Sequence, residues 1–350
     1  MSDDRDYGNT NFSVARMSYD IGKQSTVGLI STYGNTNDSI QNGVAGVDLK
    51  LATSTFKRDK NVSLDLFILK SVTDKLHGKN YSWGATFAYP NDLIDFQLGH
   101  VQIGKNFHTG IGYVSRTNIK ETFGSLMIEP RLNSMGVRQL FFGGSFDYVT
   151  DFSHKPETRS FGFTPFSILF ESGERFTYSL NRRYDHFDQD FNIFSHFIIP
   201  ANEYKWWENQ LSLFTEGSRK LSGRLSYGFG DFYTGQKNNL SVSANWKIAV
   251  PFMISSSITT NQIKLPDGKF NTHIFEFNLN WLFSPDITVY NSFQYDNLSE
   301  IAGWQSRFQW ILSPGNEILF VWNSSFLKTL NSYSWDEAGL RFKVKYNIRL

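Results

Sequence analysis

From Phe275 to Asp296 the chain reads FEFNLNWLFSPDITVYNSFQYD: large apolar residues alternate with Glu, Asn, Thr and Gln, and the alternation restarts after Ser284-Pro285-Asp286. Successive side chains of a strand point to opposite faces. Phe275, Phe277, Leu279, Trp281 and Phe283 therefore share one face, and Glu276, Asn278 and Asn280 the other. This pattern has two homes. A soluble sandwich turns the apolar face into its core, and a membrane barrel turns it to lipid.

The rest of the chain discriminates between them. Alternating segments recur over nearly all of its length, and about 19 strands are expected between 11–20 and 337–350, with no competing helical period and no linker. In 238–248, Leu240, Val242, Ala244, Trp246 and Ile248 alternate with Ser241, Ser243, Asn245 and Lys247. In the last segment Leu340, Phe342, Val344, Tyr346, Ile348 and Leu350 alternate with Arg341, Lys343, Lys345, Asn347 and Arg349. Buried unpaired in a soluble core, such charges cost several kcal/mol each; a hydrated interior tolerates them. Connections also alternate in length. Tight turns at IGKQS, PND, SGE, VP, SPD and SPGN are interleaved with longer polar loops at GNTNDSIQN, SHKPE, YTGQKN, LPDGKFN and KTLNSYSWD. An up-and-down transmembrane barrel segregates loops in this way, short turns to the periplasm and long loops outside, whereas Greek-key crossings do not. The expectation is an all-β chain forming a large antiparallel up-and-down transmembrane β-barrel of about 19–20 strands, one domain over 1–350. Its place is a bacterial outer membrane.

Composition agrees where it bears on the question. Charged residues are 19% of the chain and aromatic residues 17%, with 33 Phe; ordinary soluble domains carry about 25% charge. A net charge of +1 gives no electrostatic reason for a nucleic-acid partner. The chain has no Cys, which excludes disulfides, thiolate metal sites and cysteine nucleophiles. No segment has the roughly 20 apolar residues of a spanning helix. The opening MSDDRDYGNT is polar and acidic, unlike a signal peptide, so an exported protein is expected to be represented here by a mature or truncated portion.

Alternation assigns a set of lumen-facing polar residues: Asp48, Asp65, Asp95, Asp147, Arg224, Lys247, Glu276, Asn278, Asn280, Arg307, Arg341, Lys343, Lys345 and Arg349. The first four and the last four suggest an acidic and a basic wall, which would orient dipolar solutes. In NFHTGIGYVSRTN (106–118), Gly110 and Gly112 permit tight backbone, and Phe107, Tyr113 and Arg116 are candidates for a constriction or a cap. Asp185, Asp188 and Asp190 in DHFDQDF are clustered oxygen donors suited to a hard cation, but their spacing is not that of an EF-hand, and a solvated rim loop is the favoured alternative. Trp206 and Trp207 point to opposite faces, so at most one meets lipid; an interfacial aromatic girdle is favoured over a sugar platform. Seven histidines, His77, His100, His108, His154, His186, His196 and His273, keep a rim-active hydrolase open as an alternative, although no GxSxG or HExxH is present. No cofactor is expected.

Four stretches, NGVAGVDLKL (42–51), FQLGHVQIGKNFHTGIGYVSRTNIKE (96–121), LSGRLSYGFGDFYTG (221–235) and LPDGKFNTHIFEFNLNWLFSPDITVYNSFQYD (265–296), resemble an uncharacterised bacterial outer-membrane β-barrel family. Its full-length members carry an N-terminal carbohydrate-binding-like domain of the family 9 type. The resemblance covers only the C-terminal barrel portion, so it implies an outer membrane location and carries over no catalytic residue and no sugar site.

Function follows as an expectation: passage or docking of a small solute or glycan, with membrane lipid and other outer-membrane or periplasmic proteins as partners. A blocked structural or assembly component is the main alternative. Counting supplies a last expectation. If tight turns are periplasmic, the strands at 11–20 and 337–350 run the same way and cannot pair antiparallel, so a further strand is expected at the seam, upstream in the full-length protein.

Overall fold

The computed structural model describes residues 11–35, 40–74, 76–195, 197–329 and 332–347. Every regular element among them is a strand. The first nine are β1 (Ser13–Asp20), β2 (Thr26–Tyr33), β3 (Asn42–Phe56), β4 (Lys60–Thr73), β5 (Tyr81–Pro90), β6 (Ile94–Ile103), β7 (Ile119–Ile128), β8 (Arg131–Ser134) and β9 (Val137–Asp151). Then come β10 (Pro156–Phe170), β11 (Arg175–His186), β12 (Phe191–Phe194), β13 (Phe197–Ile199), β14 (Glu203–Phe214), β15 (Leu221–Phe232) and β16 (Gly235–Ala249). The chain closes with β17 (Phe252–Leu265), β18 (Gly268–Ser284), β19 (Ile287–Asp296), β20 (Ile301–Ser313), β21 (Asn316–Thr329) and β22 (Ser332–Lys345).

Twenty of these strands form one antiparallel meander in which each pairs with the next, save that β7 and β8 both pair with β9, and β12 and β13 form a separate hairpin between β11 and β14. β7 and β8 lie along the same neighbour, β9. They are one line of the sheet broken at Glu129-Pro130, where proline has no N–H to give the ladder. Pro165 interrupts β10 in the same manner. The register slips between Phe163 and Phe166, a bulge that keeps Phe166 on the face of Phe161 and Phe163 and leaves Ser167 on the other, bonded to Thr177 at 2.7 Å.

With β7 and β8 counted as one, the meander has an odd number of lines, and β1 and β22 run in the same direction. Among the described residues β1 pairs only with β2 and β22 only with β21. Both edge strands are exposed along nearly their whole length.

The connections correct one expectation. At one end of the sheet all are short, such as 57–59, 135–136 and 250–251. At the other end 34–41, 74–80, 104–118 and 187–202 are long, but 233–234 and 266–267 are two-residue turns. YTGQKN, LPDGKFN and KTLNSYSWD are thus mostly strand. β18 has 17 residues, and at about 3.3 Å per residue such a strand outruns the ~30 Å hydrocarbon layer. Its outer end extends past that layer, and Lys269, Asn271 and His273 there read as polar.

Register connects the faces across all the strands. The apolar face presents Met17, Leu29, Val47 and Ile68 at one side, and Leu225, Val242 and Ile258 further along, all exposed. In a membrane barrel this is the lipid-facing surface.

Candidate functional site

The opposite, polar face carries the charged residues singled out by alternation. Arg16 and Asp48 form a two-pronged ion pair, one bond of 2.8 Å, across Gly28; a Cβ at Gly28 would collide with both side chains. Lys50 stands directly opposite Asp65. Asp95 and Asp147 belong to the same face through the pairings Pro90–Asp95 and Phe123–Asp147. Arg224 and Lys247 follow in the rows of Ser226 and Asn245. Glu276 takes a 3.0 Å bond from Ser257, Asn278 a 2.7 Å bond from Tyr290, and Asn280 and Arg307 are both in register with Tyr290. Arg341, Lys343 and Lys345 pair with Val321, Leu319 and Glu317. Arg349, Ile348 and Leu350 lie outside the described residues. The acidic row is therefore interleaved with Arg16 and Lys50, while the row on β22 is almost purely basic.

Two connections at the same end fold onto this polar face. The first is 104–118. Phe107 is buried (4% exposed) and Tyr113 is not (89%). The buried Asn42 side chain clamps the turn between them: it donates to Thr73 Oγ1 (2.7 Å) and to the His108 carbonyl (2.9 Å), and accepts from the Gly110 amide (2.7 Å). The His108 amide donates to Ser71 Oγ at 3.2 Å. Gly110 is needed there, since a Cβ would lie 2.1 Å from the Gly34 carbonyl oxygen. At the far end of the connection Arg116 donates to Thr158 on β10 at 2.9 Å. Of the three expected residues, then, Phe107 and Arg116 anchor the connection and Tyr113 projects.

The second is 187–202, with the β12–β13 hairpin at its tip. Phe197 and Ile199 pack with Tyr204, Trp206, Ile263 and Leu265, flanked by Phe187, Ile193, Phe194, Phe232, Tyr233 and Phe270. Tyr204 and Trp206 are on the polar-face rows of β14, so this cluster sits over that face. Trp206 is 5% exposed and donates to Glu208 at 2.9 Å; Trp207, on the lipid-facing row, is 42% exposed with the Arg182 guanidinium 5.1 Å from its ring. The two adjacent tryptophans therefore do different jobs. Strand alternation does not mark this cluster, although the run FNIFSHFII is too apolar for a solvated loop.

The three acidic residues at its base are engaged separately. Asp185 accepts from the Tyr233 hydroxyl (3.2 Å), Asp188 from Lys155 (2.9 Å) and His186 (2.9 Å), and Asp190 from the Ala201 amide (2.8 Å). Among the described residues no group of three or more His, Asp or Glu is placed to hold a metal ion. The Lys155 ammonium and the His186 ring hold the Asp188 carboxyl below the usual carboxylate range, while burial beside Asp185 pushes the Tyr233 phenol up. His186 pairs with a carboxylate, His100 with Thr122 and His273 with Thr260; His196 lies outside the described residues.

No family model and no curated protein matches the chain. Solved structures do. The ferric-catecholate import receptor Fiu of E. coli K12, in its open form, superposes with a TM-score of 0.55 at 9% identity, over 95% of this chain and 71% of that one. A mutant of the ferric enterobactin receptor PfeA of Pseudomonas aeruginosa gives 0.57 at 9% identity, over 94% and 69%. The copper transporter OprC gives 0.52 at 8% identity, over 91% and 69%. At such identities the likeness is one of fold. The chain has the large antiparallel β-barrel fold of these outer-membrane proteins.

Proposed function

We propose that the chain passes or docks a small polar solute, with the polar face as the wall of a hydrated lumen and the two folded connections as its outer closure. Barrels of 16–18 strands already leave an aqueous channel, so a sheet of this width has room for one. The observation that carries the reading is the placement of 104–118 and 187–202. Both leave the end with the longer connections, the outer end of such barrels, and both pack on the polar face rather than standing clear of it. The import and transport named for the structural neighbours accord with it.

Planar-bilayer conductance tests the proposal. The wild-type chain is expected to give small, flickering openings, and replacement of 187–202 by a short Gly-Ser linker is expected to raise conductance several-fold. A silent wild type together with silent deletions of both connections would favour the blocked structural component instead.

A further inference from the structure

Beneath the aromatic cluster the polar face has a gap. On three adjacent strands Glu208, Gly230 and Lys237 are in register, and one row further from the mouth Gln210, Gly228 and Asn239 are in register. Each row is thus a side chain, a glycine and a side chain. Adjacent strands lie about 4.8 Å apart, so the flanking side chains start about 10 Å from each other with nothing between them. The result is a recess of about 160 Å³, with Asn181 of β11 also in its lining.

The groups around it converge with unused capacity. Gln210 spends its Nε2 on Ser226 (2.7 Å) and Asn239 spends its Nδ2 on Asn261 (2.8 Å), which fixes both amides and leaves their carbonyl oxygens as acceptors. Asn239 Oδ1 lies 4.0 Å from where a Gly228 Cβ would stand. Glu208 is held by Trp206 and, at 3.4 Å, by Arg183, and its carboxylate has further lone pairs. Lys237 rests its ammonium 5.3 Å from the Phe232 ring and is in no ion pair among the described residues. Three acceptors on one carboxylate and two amides therefore line one recess with the Lys237 side chain.

From this arrangement we propose that the recess binds the zwitterionic headgroup of an α-amino acid, its ammonium on the oxygens of Glu208, Gln210 and Asn239 and its carboxylate on Lys237. The volume equals that of about five waters at ~30 Å³ each, which suits the five non-hydrogen atoms of such a headgroup. The proposal rests on the polar face being a hydrated lumen wall, and it names the solute class that the wall selects.

Calorimetric titration of the folded chain in detergent tests it, with L-alanine as the probe. Saturable binding is expected, at least tenfold weaker for lactate, which lacks the ammonium, and for ethylamine, which lacks the carboxylate. Lys237→Gln is expected to weaken L-alanine binding about tenfold. Gly228→Leu is expected to abolish it by filling the recess, and the added Cβ meets only ordinary contacts, the nearest at 3.6 Å, so the backbone there accepts a side chain. Equal affinity for lactate, unchanged binding by Gly228→Leu, or no saturation by the folded wild type overturns the proposal. A wild type that conducts without binding L-alanine defeats the recess alone, and one that binds without conducting defeats the passage reading alone.

Discussion

The two connections that fold onto the polar face, 104–118 and 187–202, are held by different physics. The first is held chiefly by hydrogen bonds, centred on one buried asparagine whose amide group engages a hydroxyl, a carbonyl and a backbone amide at once, with Ser71 and Arg116 adding one bond each. The second depends on a dozen aromatic and aliphatic side chains that share the burial. A polar clamp fails when one atom is removed, because its former partners are left buried and unsatisfied. An apolar cluster weakens in proportion to the volume removed. The two closures therefore have different breaking points, and each can be loosened without the other.

The largest effect is expected from Trp206→Ala. Removing the indole from the cluster costs about 3–5 kcal/mol of hairpin docking, read as faster amide hydrogen exchange over 187–202 with 104–118 unchanged. Ile199→Val in the same cluster is expected to cost only about 1 kcal/mol, and that gradient is the signature of a distributed contact.

Asn42→Leu comes next. It keeps the bulk but leaves the Gly110 amide and the His108 carbonyl without their partner, about 1–3 kcal/mol for each unsatisfied group. Exchange and protease cleavage within 104–118 are expected to rise while 187–202 stays protected. If Asn42→Leu behaves as mildly as Ile199→Val, the contrast between the two closures collapses.

Acid gives the smallest effect, and only at the hairpin. Asp188 is held charged by Lys155 and His186, so its tie is complete above the ordinary Asp range near pH 3.9 and is lost as pH falls through the lowered folded value. The pair is exposed and screened by salt. Cleavage near 187–190 is expected to increase slightly in acid at low ionic strength, and Asp188→Asn is expected to remove that dependence.

How much of this was legible follows from where each residue sits. Inside the bilayer one face of each strand must be apolar, so period two shows through, and Phe275, Trp281, Val242 and Phe342 were placed by alternation alone. Above the bilayer that requirement lapses. The outer end of β16 is polar on both sides and that of β18 carries Lys269, Asn271 and His273 on one side, so Gln236, Lys237 and Lys269 read as loop although they pair as strand. The clamp at Asn42 was invisible because its partners lie 66 and 68 residues away at His108 and Gly110. The aromatic cluster did leave a signal, an apolar run inside an apparent rim loop, and Trp206 beside Trp207 was half of it.

A hydrated lumen requires the polar face to be wet and the apolar face to be in lipid. Because the chain has no cysteine, single cysteines along β16 test this without background. With the protein inserted in liposomes, a small water-soluble, membrane-impermeant thiol reagent is expected to label cysteines at Ser241, Ser243 and Asn245 and to spare those at Leu240, Val242 and Ala244. Labelling that is equal at neighbouring positions, or reversed between the two sets, would contradict it.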